Sequence, residues 1–171
     1  VHVTVLHGHS DGIYPATNAG LRVARGRVIS ILNSGDRYST DESLPILLEA
    51  IGSSSLAWAF GGIRRMAADG SFTSLSHPAP LDIRRWAMGR QYVTPAAVAA
   101  TRRLYEEVGL HEPALGLVAD QHLLLRMYQA IKPIPIFEPI ADLQPSGVSA
   151  TKTPLQHANE HRRLRRALGL Y

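Results

Sequence analysis

The chain has 171 residues, of which 45% are hydrophobic, with a formal charge of +4 and no cysteine. That length supports one domain with an ordinary core, since domains usually run roughly 100–150 residues; disulfides, thiolate metal sites and thiol redox chemistry are excluded by composition. No apolar run approaches the ~18 residues of a spanning helix, so a soluble or peripheral protein is expected, and its basic balance favours anionic partners in general.

Along the chain, the alternation from Val3 to Leu6 predicts a strand. It begins without a preceding methionine, so a fragment of a longer fold is expected. Residues Ile13 to Ala24 predict a short amphipathic helix ended by Gly26. The apolar run Val28 to Leu32, bounded by Gly26 and by Asn33-Ser34-Gly35, predicts a fully buried central strand. Serine followed three residues later by glutamate, Ser39 to Glu42, is a capping-box pattern and predicts a helix through about Ile51. Two apolar runs, Leu56 to Ile63 and Ser71 to Leu75, flank Ala67-Ala68-Asp69-Gly70, and an Asp-Gly pair in that position predicts a hairpin. Helices are then predicted over Leu81 to Met88, over Pro95 to Val108 with proline in the first turn, and over Asp120 to Ile131. Pro133, Pro135 and Pro139 predict an edge strand or extended segment. A basic helix from Pro154 to Leu168 closes the chain.

The run from Ser10 to Tyr38 carries the most information. It holds Asp11-Gly12-Ile13-Tyr14, Ala16, Asn18, Gly20, an Ala24-Arg25-Gly26 turn, and then Leu32-Asn33-Ser34-Gly35-Asp36 with Tyr38 closing the loop. In that order and without gaps it resembles the family-2 glycosyltransferases, inverting enzymes with the A-type nucleotide-sugar fold, many of them in bacterial polysaccharide and cell-envelope synthesis. Weaker likeness continues around Asp69 and through Leu117 to Tyr128. The resemblance implies an α/β fold, a mixed sheet with helices on both faces, equivalent to the central and C-terminal part of that fold over residues 1–153, with residues 154–171 as a basic C-terminal helix. In the family a βαβ unit that holds the nucleotide base precedes this part, and nothing in the chain replaces it.

Site residues follow from the resemblance and from the chemistry each must perform. Asp36 lies just past a strand end, where open α/β sheets bind ligands, and as a hard carboxylate it suits Mg²⁺ or Mn²⁺ on the diphosphate of a UDP- or GDP-type donor. The plainer alternative is a solvated loop acid. Asp120 falls where relatives place an aspartate at a helix start facing the acceptor, and inversion needs a base for the acceptor hydroxyl. Aspartate is also a preferred helix cap, and both roles can hold. Asp11, Tyr14, Asn18, Asn33 and Ser34 match the donor-side segment, and Gly147 and Ser149 match an acceptor-side loop. The acceptor implied is a saccharide or a lipid-linked saccharide.

Departures from the family pattern also count. His122 replaces a second acid, Gly35 stands where many members have an acid, and Pro95 and Ala96 replace a His-Gln pair. These leave open a non-catalytic remnant or partner module of the same fold. An alternative enzyme is a zinc hydrolase using His7, His9 and Asp11 of HGHSD, although Gly12 stands where its last histidine belongs. The arginines Arg162, Arg163, Arg165 and Arg166 are read first as a solvated helix face, with an anionic membrane surface as the functional alternative; a cytoplasmic chain is expected, peripheral to the inner face of a membrane in that alternative. Nucleic-acid binding lacks any accompanying motif.

Overall fold

The computed structural model describes residues 2–7, 11–144 and 153–170. Helix α1 (Ile13–Val23) precedes strands β1 (Val28–Ser30) and β2 (Arg37–Tyr38), helix α2 (Ser43–Ile51), and strands β3 (Trp58–Met66) and β4 (Phe72–Ser76). Helix α3 (Ile83–Ala87), strand β5 (Val98–Thr101), helices α4 (Arg102–Val108) and α5 (Ala119–Ala130), strand β6 (Ile134–Leu143) and helix α6 (Pro154–Ala167) complete it. The sheet runs β1-β5-β3-β6-β2, with β4 beside β3. Among the described residues only β3 and β6 pair in parallel, so the sheet is mixed.

Alternation along β3 divides the core between the two sheet faces. Trp58 and Phe60 enter one cluster with Trp86, Leu104, Leu123 and Met127, while Ala59 and Ile63 enter the other with Leu47, Ile51 and Ile140. Period-two geometry forces this division, since successive side chains leave opposite faces of a strand. Leu164 of α6 is fully buried in the aromatic cluster, so the last helix packs into the core. Truncating a buried tryptophan such as Trp58 costs about 3–5 kcal/mol, and its indole N–H also donates to the Ile131 carbonyl at 2.9 Å.

Several elements differ from the sequence expectation. Residues 2–7 form no strand, and Val3 and Val5 are 75% and 67% exposed; alternation makes a strand only where a neighbouring strand can pair with it. The run beginning at Val28 is not central: β1 is three half-buried residues at one end of the sheet, paired with β5 alone among the described residues. The predicted helix from Pro95 splits into a 3₁₀ turn at Pro95–Ala97, the strand β5 and then α4. Alanine favours helices, yet Val98, Ala99, Ala100 and Thr101 are all buried between β1 and β3, and tertiary packing overrides the propensity.

The capping box is also absent as such. Helix α2 starts at Ser43, whose hydroxyl oxygen accepts from the Thr40 N–H, and Ser39 instead donates its hydroxyl hydrogen to Asp142 at 2.6 Å. Strand β6 is interior in spite of its prolines. It pairs with β2 only at Ala141 and Asp142, so Pro135 and Pro139 face a partner on the β3 side alone. Register shifts at Gly61 and Gly62 absorb them, and a Cβ on Gly61 would stand 2.1 Å from Ile140 Cγ1. The hairpin β3–β4, helices α1, α3 and α5, and the terminal helix fall where the sequence predicts them.

Candidate functional site

Helix α5 carries Asp120 in its first turn, where unpaired backbone N–H groups and the helix dipole favour a carboxylate. The Ile131 carbonyl that follows α5 accepts from Trp58 at the start of β3, while Gln121 at its start holds Val93 ahead of β5, so α5 runs counter to β3 and to its parallel neighbour β6. Its amino end therefore points to the end of the sheet where β6 finishes, the side on which open α/β sheets bind ligands. Asp120 is buried. Its Oδ2 accepts from the Tyr92 hydroxyl at 2.9 Å and its Oδ1 from the Gln121 backbone N–H at 2.6 Å. Burial pushes the carboxyl above its ordinary range, and the hydrogen bonds from Tyr92 and Gln121 only partly offset that push.

Two tyrosines frame this carboxylate. Tyr92 is 57% exposed, yet its hydroxyl end lies inside on Asp120, so the ring spans from solvent to the buried carboxylate. Burial of the hydroxyl and then the charge of Asp120 push the Tyr92 phenol up, which keeps it a donor. Tyr14 of α1 donates to the Leu117 carbonyl at 3.1 Å and stacks on His111 with ring centres 5.0 Å apart. Burial, followed by the charge on Asp120, raises its phenol as well. Gln121 locks the arrangement: its side-chain carbonyl accepts from Trp86 Nε1 at 2.6 Å, and its amide donates to the Val93 carbonyl at 2.9 Å.

Asp36 stands on the loop between β1 and β2. Its backbone N–H closes a turn on the Asn33 carbonyl at 3.1 Å, and Gly35 within that turn has φ 91°. A side chain at position 35 would be strained there, a physical reason for glycine at that place in the turn. The Asp36 carboxyl is half-buried; burial raises it, opposed by the backbone of Gln144 and the side chain of Asn33. Gln144 directly follows β6, so Asp36 sits at the same end of the sheet toward which α5 points. Among the described residues no hydrogen bond joins the Asp36 and Asp120 groups.

The donor set at Asp36 is one hard carboxylate. Among the described residues no three histidines or acids cluster to form a protein cage for a metal. One carboxylate fits a magnesium-like ion that keeps its waters and is completed by substrate phosphate oxygens. Asp142, the nearest other acid on β6, is committed elsewhere. Its side chain is 1% exposed and lies in register between Arg37 of β2 and Arg64 of β3. Arg64 grips both oxygens, Nε to Oδ1 at 2.6 Å and Nη2 to Oδ2 at 2.9 Å, while Arg37 Nε donates to Oδ2 at 3.1 Å. Burial pushes this carboxyl up, but the hydrogen bonds from Arg64, Ser39 and Arg37 outweigh it and hold the group below its ordinary range. Because Arg37 and Ser39 follow closely on Asp36, Asp142 pins the end of that loop to the sheet.

The structure thus brings Tyr14 to Asp120 and Asn33 to Asp36. Asn18 does something else: its amide donates to the His111 carbonyl at 2.9 Å and its oxygen accepts from the His111 N–H at 3.0 Å, stitching α1 to the loop before α5. Burial and then Arg126 pull His111 down to about 4. Asp11 and Ser34 are exposed. Gly147 and Ser149 lie outside the described residues, as does His9; His7 is exposed on an irregular segment. His122 is buried, with Nδ1 3.5 Å from Glu112. Tyr92, Gln121, Arg64 and Asp142 are absent from the sequence reading. An aspartate inside the apolar run Ile140-Ala141-Asp142-Leu143 was a usable signal, since a buried charge needs partners.

A mixed α/β sheet flanked by helices, as seen here, is the architecture of the glycosyltransferase A-type fold. The comparisons agree. The chain is 28% identical over 156 residues to two uncharacterized glycosyltransferases of Mycobacterium tuberculosis, MT1564 of strain CDC 1551 / Oshkosh and Rv1514c of strain H37Rv. In each case 90% of the chain is covered, and the chain spans 58% of the relative's length. By structure it is similar to S. aureus TarS residues 1–349, with TM-score 0.59 and 15% identity over 82% of this chain and 42% of that one. No protein-family model matches. The fold is of the glycosyltransferase A type, and the relatives by sequence bear the glycosyltransferase name.

Proposed function

We propose that this chain is the central and C-terminal part of an inverting, family-2 type glycosyltransferase that moves a sugar from a UDP- or GDP-type donor to a hydroxyl acceptor. Asp120 takes the proton of the acceptor hydroxyl as its oxygen attacks the anomeric carbon from the face opposite the leaving diphosphate. Tyr92 steadies the carboxylate through its hydroxyl. Asp36 holds Mg²⁺ or Mn²⁺, which when bound neutralises charge on the departing diphosphate. The observation that carries this reading is the buried Asp120 at the amino end of α5, raised by burial while still accepting from Tyr92. A carboxylate raised in this way holds a proton more tightly than an exposed one, which favours a base role.

A saccharide or lipid-linked acceptor in bacterial polysaccharide or cell-envelope synthesis is the setting we infer. No helix among the described residues is long and apolar enough to cross a membrane. The exposed Arg162, Arg163 and Arg166 of α6 suit a peripheral position at the inner face of one. The test is sugar transfer from UDP- and GDP-sugars by the protein in its natural full length, with and without Mn²⁺, alongside Asp36→Asn. Metal-dependent turnover that Asp36→Asn abolishes is expected. Metal-independent turnover, or an Asp36→Asn variant that keeps its metal response, would sink the assignment of Asp36. A correctly folded protein without nucleotide-sugar turnover would instead favour a non-catalytic module.

A further inference from the structure

A cleft lies between the residues that end α3 and one face of α6, outside both acid groups. It encloses about 450 Å³, with Met88 and Gly89 on one wall and His157, His161, Arg162 and Arg165 on the other. Ligand pockets commonly run from ~300 to 1,000 Å³, so this volume admits a small anionic group together with the chain attached to it. Helical spacing makes the basic wall: His157, His161 and Arg165 follow one another at intervals of four and share a face of α6, with Arg162 beside them.

Among the described residues no acid is paired with the arginines of this wall. No carboxylate lines the cleft. Glu160, the acid of the helix, lies toward Gly116, 3.6 Å from where a Cβ on that glycine would stand. The opposite wall is shaped to fit. Gly89 has φ 73°, and a Cβ there would come within 2.6 Å of His161 Nε2, so glycine lets the imidazole close against the backbone. His161 Nδ1 is buried without a well-formed hydrogen bond. The wall is also anchored on both sides to the start of α5, by Trp86 on Gln121 and by Tyr92 on Asp120.

We propose that this cleft is a binding site for a phosphate-class anion, the phosphate or diphosphate of a soluble molecule or of a lipid headgroup. Arg162 and Arg165 supply the charge and forked donors that match phosphate oxygens, and His157 and His161 add imidazole donors. The site goes beyond the transferase assignment and stands without it, since its test reads binding and not turnover.

Pyrophosphate is titrated calorimetrically into the 171-residue chain, and sedimentation with phosphatidylglycerol or phosphatidylcholine vesicles is measured in parallel. Two charge-matched double variants are compared: Arg162→Gln with Arg165→Gln in the cleft, and Arg163→Gln with Arg166→Gln on the same helix but off it. Saturable pyrophosphate binding is expected, weakened about tenfold or more by the cleft pair and less than about threefold by the other. A lipid source shows as binding to phosphatidylglycerol vesicles alone, displaced by pyrophosphate; a soluble source shows as pyrophosphate binding that vesicles do not affect. Thermal unfolding accompanies each variant, and Arg162→Gln alone, at an exposed position, replaces the cleft pair if that pair melts early. Absence of saturable pyrophosphate binding, or equal losses in both pairs, overturns the proposal, because diffuse charge would then account for the basic face.

Discussion

Asp120 and Asp142 are both buried aspartates toward the same end of the sheet, and their carboxyls are driven in opposite directions. Around Asp120 the donors are neutral, a tyrosine hydroxyl and a backbone N–H, so burial prevails and the group holds a proton more tightly than usual. Around Asp142 two guanidinium groups and a serine hydroxyl outweigh the same penalty, and the group stays ionised further into acid. Depth alone decides neither case; the charge of the partners does. A carboxylate held high suits proton transfer, whereas one held low between two arginines suits fixing a loop in place.

The largest expected effect separates these roles by activity. Asp120→Asn in the full-length protein should lower kcat by about 10²–10⁴, the usual range for a general base, with denaturant stability unchanged or raised because an amide replaces a buried acid. Retained turnover would reduce Asp120 to a helix-start acid. Asp142→Asn should do the reverse and cost about 2–3 kcal/mol in a denaturant titration. That is below the usual figure of about 3–5 for breaking a buried pair, because the partners Arg64 and Arg37 are 31% and 61% exposed and can rehydrate.

Acid titration sharpens the same contrast. The folded carboxyl of Asp142 is depressed, so its stabilisation is present above the ordinary carboxylate value and lost as pH falls through the folded one. Asp120 is raised, so its contribution is present below the ordinary value and lost as pH climbs through the folded one. Unfolding free energy measured against pH should therefore lose its acid-side drop in Asp142→Asn and gain stability on the neutral side in Asp120→Asn. A pH profile unchanged by either substitution would remove the contrast.

Smaller effects test the partners. Tyr92→Phe removes a donor that favours the ionised Asp120, so the acid limb of the pH–rate profile should move to higher pH, with a loss of roughly tenfold in rate at neutral pH. An unmoved limb would detach Tyr92 from the base. Arg37→Gln should cost under about 1 kcal/mol in thermal or chemical unfolding, since Arg37 is mostly exposed and Arg64 keeps its two-point hold on Asp142. A larger loss would mean that the β2 arginine, and not Arg64, carries the network.

Local sequence determined the elements whose patterns fit within a few turns of chain. The Asp69-Gly70 hairpin and the periodic helices α1 and α5 were legible in this way, because turn chemistry and periodicity act between near neighbours, whereas Asp36 and Asp120 were singled out by the family resemblance. Tertiary structure alone decided the remainder. Alanine-rich β5 became a strand because β1 and β3 flank it, and β6 kept its prolines because β2 covers only its last turn of pairing. Tyr92 reaches Asp120 across 28 residues, and Arg64 and Arg37 reach Asp142 across 78 and 105. Contacts at such separations depend on which strands lie side by side, and a local window of sequence contains no record of that.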